Sequence, residues 1–267
     1  MSRVVAVVTA RMASSRYPGK ALVPLGGRPL LEVLLERVGT ARGLDGTVLA
    51  TSRDPQNRPL VELARGMGWA TFEGDEDDVL RRHVKCAREM EADHVVRITG
   101  DNPLTDIETL ERLVALHRSS DADYTYVPGD ALLMGILSEV ISTAALERSW
   151  ERGDPRHLSE LVTLYIKEHP GEFRIRTADP PEGLYRPEYR LTVDEAGDVA
   201  LMQAIFERLA APERVVSTRE ALALLDREPS LVGLNAHLRH RPANLRSVAL
   251  DSGIAGGQAA VTRKTQT

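Results

Sequence analysis

The chain has 267 residues, is 42% apolar and 27% charged, and carries a net charge of −5, a balance that suits a globular chain with one dominant core and excludes a fibrous or disordered bulk. Acidic and basic residues are interspersed, so there is no basic stripe of the kind that neutralises a nucleic-acid backbone, and nucleic acid is not expected as a partner. Cys86 is the only cysteine, which excludes an internal disulfide and a cysteine-built metal site.

After Met1-Ser2-Arg3 comes the apolar run 4–8. It is far shorter than the ~20 residues that cross a bilayer and lacks a signal-peptide profile, so a cytoplasmic protein with no membrane partner is expected. The run is continuous and β-branched, which predicts a strand buried on both faces of a parallel sheet. Leu30, Leu31, Val33, Leu34, Leu35 and Val38 then recur at helical spacing and stop before Gly43, as in an amphipathic crossover helix. A strand at 47–51, a helix at 59–67, a strand at 69–72, a helix at 77–90, a strand at 94–99 and a helix at 106–117 follow. This alternation predicts βαβ units and a mostly parallel α/β sheet flanked by helices. Beyond Tyr124 the pattern loosens, with helices predicted at 142–152, 156–168, 195–209 and 218–227 and strands at 173–177 and 189–193. Residues 1–240 read as one domain. From about Arg239 apolar periodicity fades and Ser, Gly, Gln and Thr accumulate, so 241–267 is expected to be a mobile or partner-wrapped tail.

Four segments could carry chemistry. The loop after the first strand, A-R-M-A-S-S-R-Y-P-G-K at 10–20, places Arg11, Arg16 and Lys20 with Ser14 and Ser15 where open α/β sheets bind ligands. Arg and Lys there can meet phosphate oxygens with charge-assisted bonds, which favours a triphosphate grip over a merely solvated basic loop. Neither G-x-x-x-x-G-K-[ST] nor G-x-G-x-x-G is present, which argues against kinase and Rossmann dehydrogenase chemistry. The second segment, R-I-T-G-D-N-P-L at 97–104, ends a strand in Asp101, either a magnesium ligand or a turn aspartate. The third, Y-R-L-T-V-D-E-A-G-D at 189–198, ends in the same way at Asp194, a second metal ligand or a helix cap. The acidic burst at 73–78 followed by Arg81 and Arg82 reads as dipole-favoured helix capping or as a lip over a nucleoside. His83, His157 and His169 show no metal-like spacing and no Ser-His-Asp or Cys-His constellation, and none is assigned a catalytic role.

Together these segments resemble the cytidylyltransferases related to CMP-sugar-acid synthetases, in the branch named after the spore-coat polysaccharide biosynthesis protein SpsF. Residues 10–20 fit that branch's A-R-M-x-S-S-R-x-P-G-K, 76–82 fit E-D-D-V-L-x-R, 97–104 fit R-I-T-G-D-x-P-L and 191–194 fit L-T-V-D, with the likeness running over about residues 3–240. The resemblance implies a GT-A-like (Rossmann-like) nucleotidyltransferase fold, transfer of CMP from CTP to a small acidic or sugar-like acceptor, magnesium as cofactor and a homodimer. Carried over by position, Arg11, Ser15, Arg16 and Lys20 would hold the triphosphate, with Asp78 and Arg82 near the nucleoside. Asp101 and Asp194 would hold magnesium, and Lys20, Arg11 and Asp101 would carry the catalytic work. The acceptor motifs depart from the branch: G-x-D-x-E is Gly135-Ile136-Leu137-Ser138-Glu139, and E-H-V-T-P-Y is Glu160-Leu161-Val162-Thr163-Leu164-Tyr165. Gly135, Glu139 and Tyr165 would still line an acceptor site made more apolar. The alternatives are a GT-A glycosyltransferase using a nucleotide sugar, disfavoured by the lack of a D-x-D pair at Asp101, and a non-catalytic nucleotide-binding homologue.

Overall fold

The strand β1 (Val4–Thr9) is the axis of the molecule, because its alternating side chains feed two different cores. In the computed structural model, which describes residues 2–128, 133–179, 181–211 and 214–238, Val4, Ala6 and Val8 join one apolar cluster and Val5 and Val7 another, all fully buried. A short hairpin, β2 (Pro24–Leu25) with β3 (Arg28–Pro29), leads into α1 (Leu30–Gly39), whose Leu31, Leu34, Leu35 and Val38 pack on the first face. Then come β4 (Gly46–Ser52), α2 (Arg58–Gly66), β5 (Ala70–Gly74), α3 (Val79–Glu89), β6 (His94–Thr99) and α4 (Ile107–Ser120). The helix α3 covers the second face with Leu80, Val84 and Ala87.

The remainder is β7 (Tyr124–Tyr126), β8 (Glu139–Ser142), α5 (Thr143–Arg152), α6 (Leu164–Glu168), β9 (Ile175–Thr177), α7 (Ala196–Leu209) and α8 (Thr218–Arg227). One sheet runs β5-β4-β1-β6-β8-β7-β9, parallel from β5 to β6, with β8 antiparallel to both β6 and β7 and β9 parallel to β7. The helices begin where polar side chains accept the first free amides: Asp78 for α3, Asp106 for α4, Ser142 for α5 and Ser217 for α8, each such cap being worth ~1 kcal/mol. A third apolar cluster joins α7 and α8 to Leu25, Leu30, Leu133, Ile136, Leu191 and Val193.

The alternating first half matches the expected parallel α/β architecture, and two later elements differ from expectation. Residues 189–193 form no strand of the sheet. The segment is threaded between two loops, the Leu191 amide donating to the Met134 carbonyl and the Val193 amide to the Asp101 carbonyl, so its amides alternate between different partners. The helix expected at 156–168 is broken into a 3-10 turn at Pro155–Leu158 and α6. Ser159 Oγ donates to the Arg156 carbonyl and accepts from the Leu161 amide, competing with helical pairing at the break. The tail expected at 241–267 lies outside the described residues.

Two buried imidazoles, His83 and His117, and the half-buried His94 make the fold acid-sensitive. Burial pushes His83 down to about 3 and His117 down to about 4, and it also lowers His94, whose Nδ1 meets His117 Nε2 at 3.1 Å. The folded chain refuses protons that the unfolded chain takes up below the ordinary value of 6.5, so stability is lost as pH falls from there towards about 4. His117 alone accounts for about 3 kcal/mol of that loss. Thermal unfolding of wild type and His117→Gln at pH 7 and pH 4.5 should show the wild-type midpoint falling further by roughly 6 to 12 °C. Equal falls would overturn the assignment to His117.

Candidate active site

The site is assembled by chain crossings at the carboxyl edge of the sheet. β1 and β6 are neighbours in register, Thr9 beside Thr99, so the 10–20 loop and the turn at Asp101 emerge side by side. Gly100 permits this closeness: its amide donates to the Thr9 carbonyl at 2.7 Å, and a Cβ at that position would lie 2.6 Å from the Ala10 Cβ. Asn57, itself buried, accepts the Met12 amide at 2.8 Å, and the Met12 carbonyl accepts the amides of Ser14 and Gly19. These bonds curl the cationic loop back so that Lys20, which opens a 3-10 turn, points at Asp101. The bond from the Val193 amide to the Asp101 carbonyl then brings Asp194 alongside. Gly135 makes room for that crossing: it has φ +94°, and a Cβ there would lie 2.3 Å from the Thr192 nitrogen.

Lys20 Nζ donates to Asp101 Oδ2 and to Asp194 Oδ1, both at 2.8 Å, with the Lys20 and Asp194 side chains only 13% and 11% exposed. Burial opposes the charge on Lys20, and the Coulombic pull of Asp101 and Asp194 outweighs it, raising the ammonium above its ordinary value. Burial likewise opposes ionisation of Asp194, and Lys20, Arg16 and Arg190 together hold its carboxyl below the usual range. Arg16 reaches Asp194 Oδ1 at 2.8 Å, and Arg190 Nη2 reaches Asp194 Oδ2 at 3.0 Å. Arg11 stands at the rim, 3.5 Å from Glu76, and Ser15 is exposed on the same loop. The structure therefore brings Lys20, Arg16, Asp101 and Asp194 into one cluster, with Arg11 and Ser15 beside it.

Asp78 and Arg82 serve the neighbouring turn. Arg82 is buried and donates from Nε to the Asp75 carbonyl at 2.8 Å and from Nη2 to the Glu76 carbonyl at 2.9 Å. Asp78 caps α3 through the Arg81 amide and accepts from the Trp150 indole at 3.2 Å. Both residues thus shape the 75–78 turn and can act on a ligand through it.

On the acceptor side the expected residues separate. Glu139 accepts from Arg97 and Lys167, both at 2.9 Å, from Thr163 and from the Tyr124 hydroxyl. Burial opposes its ionisation, and Lys167 and Arg97 overcome this to hold the carboxyl far below its ordinary value. Tyr165 instead lies in the core beneath α6, stacked on His169 with ring centroids 4.1 Å apart and edge-on to His157 and Phe173. Arg97 and Lys167, which answer Glu139, and Arg190, Asp198 and Asn235, which flank Asp194, were not singled out from sequence: the partners of Arg97, Lys167 and Asn235 are distant in the chain, and Arg190 and Asp198 lie within the 189–198 segment but show their pairing only once it is folded.

The sequence model of the family described as Cytidylyltransferase matches residues 5–211. The chain belongs to the cytidylyltransferase family. It is 35% identical to the spore coat polysaccharide biosynthesis protein SpsF of Bacillus subtilis over 86% of its length and 96% of that protein. It is also 34% identical to an uncharacterized protein of Methanocaldococcus jannaschii, over 90% of this chain and 97% of that one. In fold it is similar to a cytidylyltransferase from Leptospira borgpetersenii, with a TM-score of 0.80 and 24% identity over 87% of this chain and 97% of that one. This likeness bears out the expected nucleotidyltransferase fold of the Rossmann-like kind. No helix among the described residues is long and apolar enough to cross a membrane.

A divalent cation fits this cytidylyltransferase cluster. Among the described residues no three His, Cys, Asp or Glu side chains are grouped to hold a metal. Magnesium, however, needs only one or two protein carboxylates and completes its shell with phosphates and water. Asp101 and Asp194 already converge on one cationic point, where Lys20 now stands.

The roles of the two loops can be separated by mutation. Arg82→Leu removes a buried side chain that donates to two carbonyls of the 75–78 turn and should cost about 2–4 kcal/mol in urea unfolding. Arg11→Leu, at the exposed rim, should stay within about 0.5 kcal/mol of wild type. Equal stability of the two variants would show that Arg82 does not hold the turn.

Proposed function

We propose that this cytidylyltransferase transfers CMP from CTP to an oxygen of a small acidic or sugar-like acceptor, releasing pyrophosphate, with magnesium as cofactor. The observation that carries the reading is the Lys20 ammonium held between Asp101 and Asp194 beneath a loop bearing Arg11 and Arg16. Lys20, Arg16 and Arg11 would take the triphosphate oxygens, Arg bidentately, and Asp101 with Asp194 would hold the magnesium, which supplies neutralisation of phosphate charge when bound. The acceptor oxygen attacks the α-phosphorus in line, the bond to the β-phosphate's bridging oxygen breaks, the hydroxyl proton is released to solvent and pyrophosphate leaves. Such a transfer is driven by positioning and charge neutralisation and needs no protein nucleophile. Family membership favours nucleotidyl over glycosyl transfer, and the likeness to SpsF, a spore coat polysaccharide biosynthesis protein, supports an acceptor used in building a polysaccharide. A homodimer in the cytoplasm completes the reading and rests on family resemblance.

The nucleotide half can be tested without the acceptor. CTP with magnesium at one hundred times its dissociation constant stabilises the native state by ~2.7 kcal/mol, which should raise the thermal midpoint by roughly 5 to 10 °C, with UTP, ATP and GTP doing markedly less. Asp101→Ala should keep its circular dichroism spectrum and lose pyrophosphate release against a panel of sugar acids, phosphonates and alditol phosphates. Stabilisation by nucleotide sugars alone, or near-normal turnover by the variant, would overturn the proposal.

A further inference from the structure

Behind Asp194 lies a second layer of polar groups. Asp198, in the first turn of α7, is fully buried. Its Oδ1 accepts from Arg190 Nε at 2.8 Å and from Asn235 Nδ2 at 2.9 Å. Its Oδ2 accepts from Arg190 Nη2 and the Asp194 amide, both at 3.0 Å, and from the Glu195 amide at 3.1 Å. Asn235 also donates to the Arg190 carbonyl at 2.9 Å, and Arg190 Nη1 meets Met134 Sδ at 2.9 Å. The guanidinium is thereby fixed, and its Nη2 is shared between Asp198 and Asp194 Oδ2, 3.0 Å from each.

Helix capping accounts for part of this set: Glu195 and Asp198 form a reciprocal capping box. It does not call for Arg190 or Asn235. Stability is a weak explanation for them, because the desolvation of a buried ion pair largely cancels its attraction. Orientation is the stronger one. Asp194 Oδ1 faces the cleft, where Lys20 and Arg16 meet it, while Oδ2 faces Arg190.

We propose that Arg190, Asp198 and Asn235 are positioning residues that lock the Asp194 carboxylate, keeping Oδ2 on Arg190 and presenting Oδ1 alone to the metal and triphosphate. This rests on the cytidylyltransferase reading above. With Lys20 and Arg16 turned to phosphates, Oδ1 would be free for a cation while Arg190 keeps the carboxylate from turning. Asp194 would then offer the metal one oxygen. Asn235 lies beyond the 5–211 region that the family model matches, so the segment after α8 completes the site. It comes close enough because Gly197 has no side chain: a Cβ there would lie 2.7 Å from the Leu234 carbonyl.

The test is a Mn2+ titration of the full chain by electron paramagnetic resonance, with CTP present and no acceptor, so that turnover does not intervene. Asn235→Ala and Arg190→Lys should weaken Mn2+ binding by about 10- to 100-fold, the usual effect of removing a group that orients a metal ligand, while CTP affinity measured without metal changes much less. Arg37→Lys disturbs a buried guanidinium that ties α1 to Thr105 and Thr218 and should leave Mn2+ binding unchanged, which separates positioning from general destabilisation. Should one of the two site variants fail to fold, the other carries the test. Wild-type Mn2+ affinity in folded Asn235→Ala or Arg190→Lys, or an equal loss in Arg37→Lys, would overturn the inference. Absence of CTP-dependent Mn2+ binding in wild type would instead sink the functional reading on which it stands.

Discussion

The Lys20 ammonium between Asp101 and Asp194 is the contact on which the rest of the site depends. Two carboxylates this close would repel by a few kcal/mol at the effective dielectric of a protein surface. Their approach is set by backbone, through Gly100 against Ala10 and Val193 on the Asp101 carbonyl, and so cannot be relieved by moving apart. Cations must answer them. Lys20, Arg16 and Arg190 supply three positive charges for the three negative ones of Asp101, Asp194 and Asp198, so the ligand-free cluster is balanced. In the proposed reaction a triphosphate arriving with a divalent cation would replace these pairings, the phosphates taking the side-chain cations and the metal the carboxylates. The same charges would then hold the site together in both states.

That exchange requires some members of the cluster to move and others to stay. Arg16 is exposed on a loop held by a few amide hydrogen bonds and Lys20 opens a short 3-10 turn at its end, so under the proposed function both would turn onto phosphate. Asp101 leaves a strand locked on both sides, and Asp194 rests on Arg190 and the buried Asp198. Mobile cations and fixed anions match the needs of phosphoryl chemistry, where rate comes from placing charge before the reaction begins.

Much of this was legible in the sequence where local rules suffice. The switches from β-branched runs to helical spacing between residues 4 and 117 announced the parallel half of the sheet, and a cationic loop with two strand-end aspartates announced the site. What was hidden depends on distant partners. β7 and β8 are short, and β8 begins with a half-buried Glu139 that makes sense only opposite Arg97 and Lys167. Residues 189–193 carry a strand's composition because Leu191 and Val193 fill a core, yet their amides go to two loops. The roles of Arg190 and Asp198 appear only when the 189–198 segment folds back on itself and Asn235 arrives from a distant part of the chain. Asp78 and Arg82 fit a family motif while their contacts show that the motif builds a turn.

The two halves of the cleft differ in how much of their charge is already committed. On the nucleotide side the ion pairs are formed by loop side chains that a ligand can displace. On the acceptor side Glu139 is held by Arg97, Lys167, Thr163 and Tyr124, and two of those donors are cations, so its charge is answered within the protein. Glu139 is thus a keystone of that wall, and removing it would leave Arg97 and Lys167 facing each other in a partly buried space. Leu137, where the branch carries an aspartate, packs against two apolar clusters at their junction. A carboxylate there would have to be buried among hydrocarbon or turn the chain outward. Leu137 therefore belongs to the joint between the sheet and the α7–α8 layer, and under the proposed function the acceptor side could change there without disturbing the charges around Glu139.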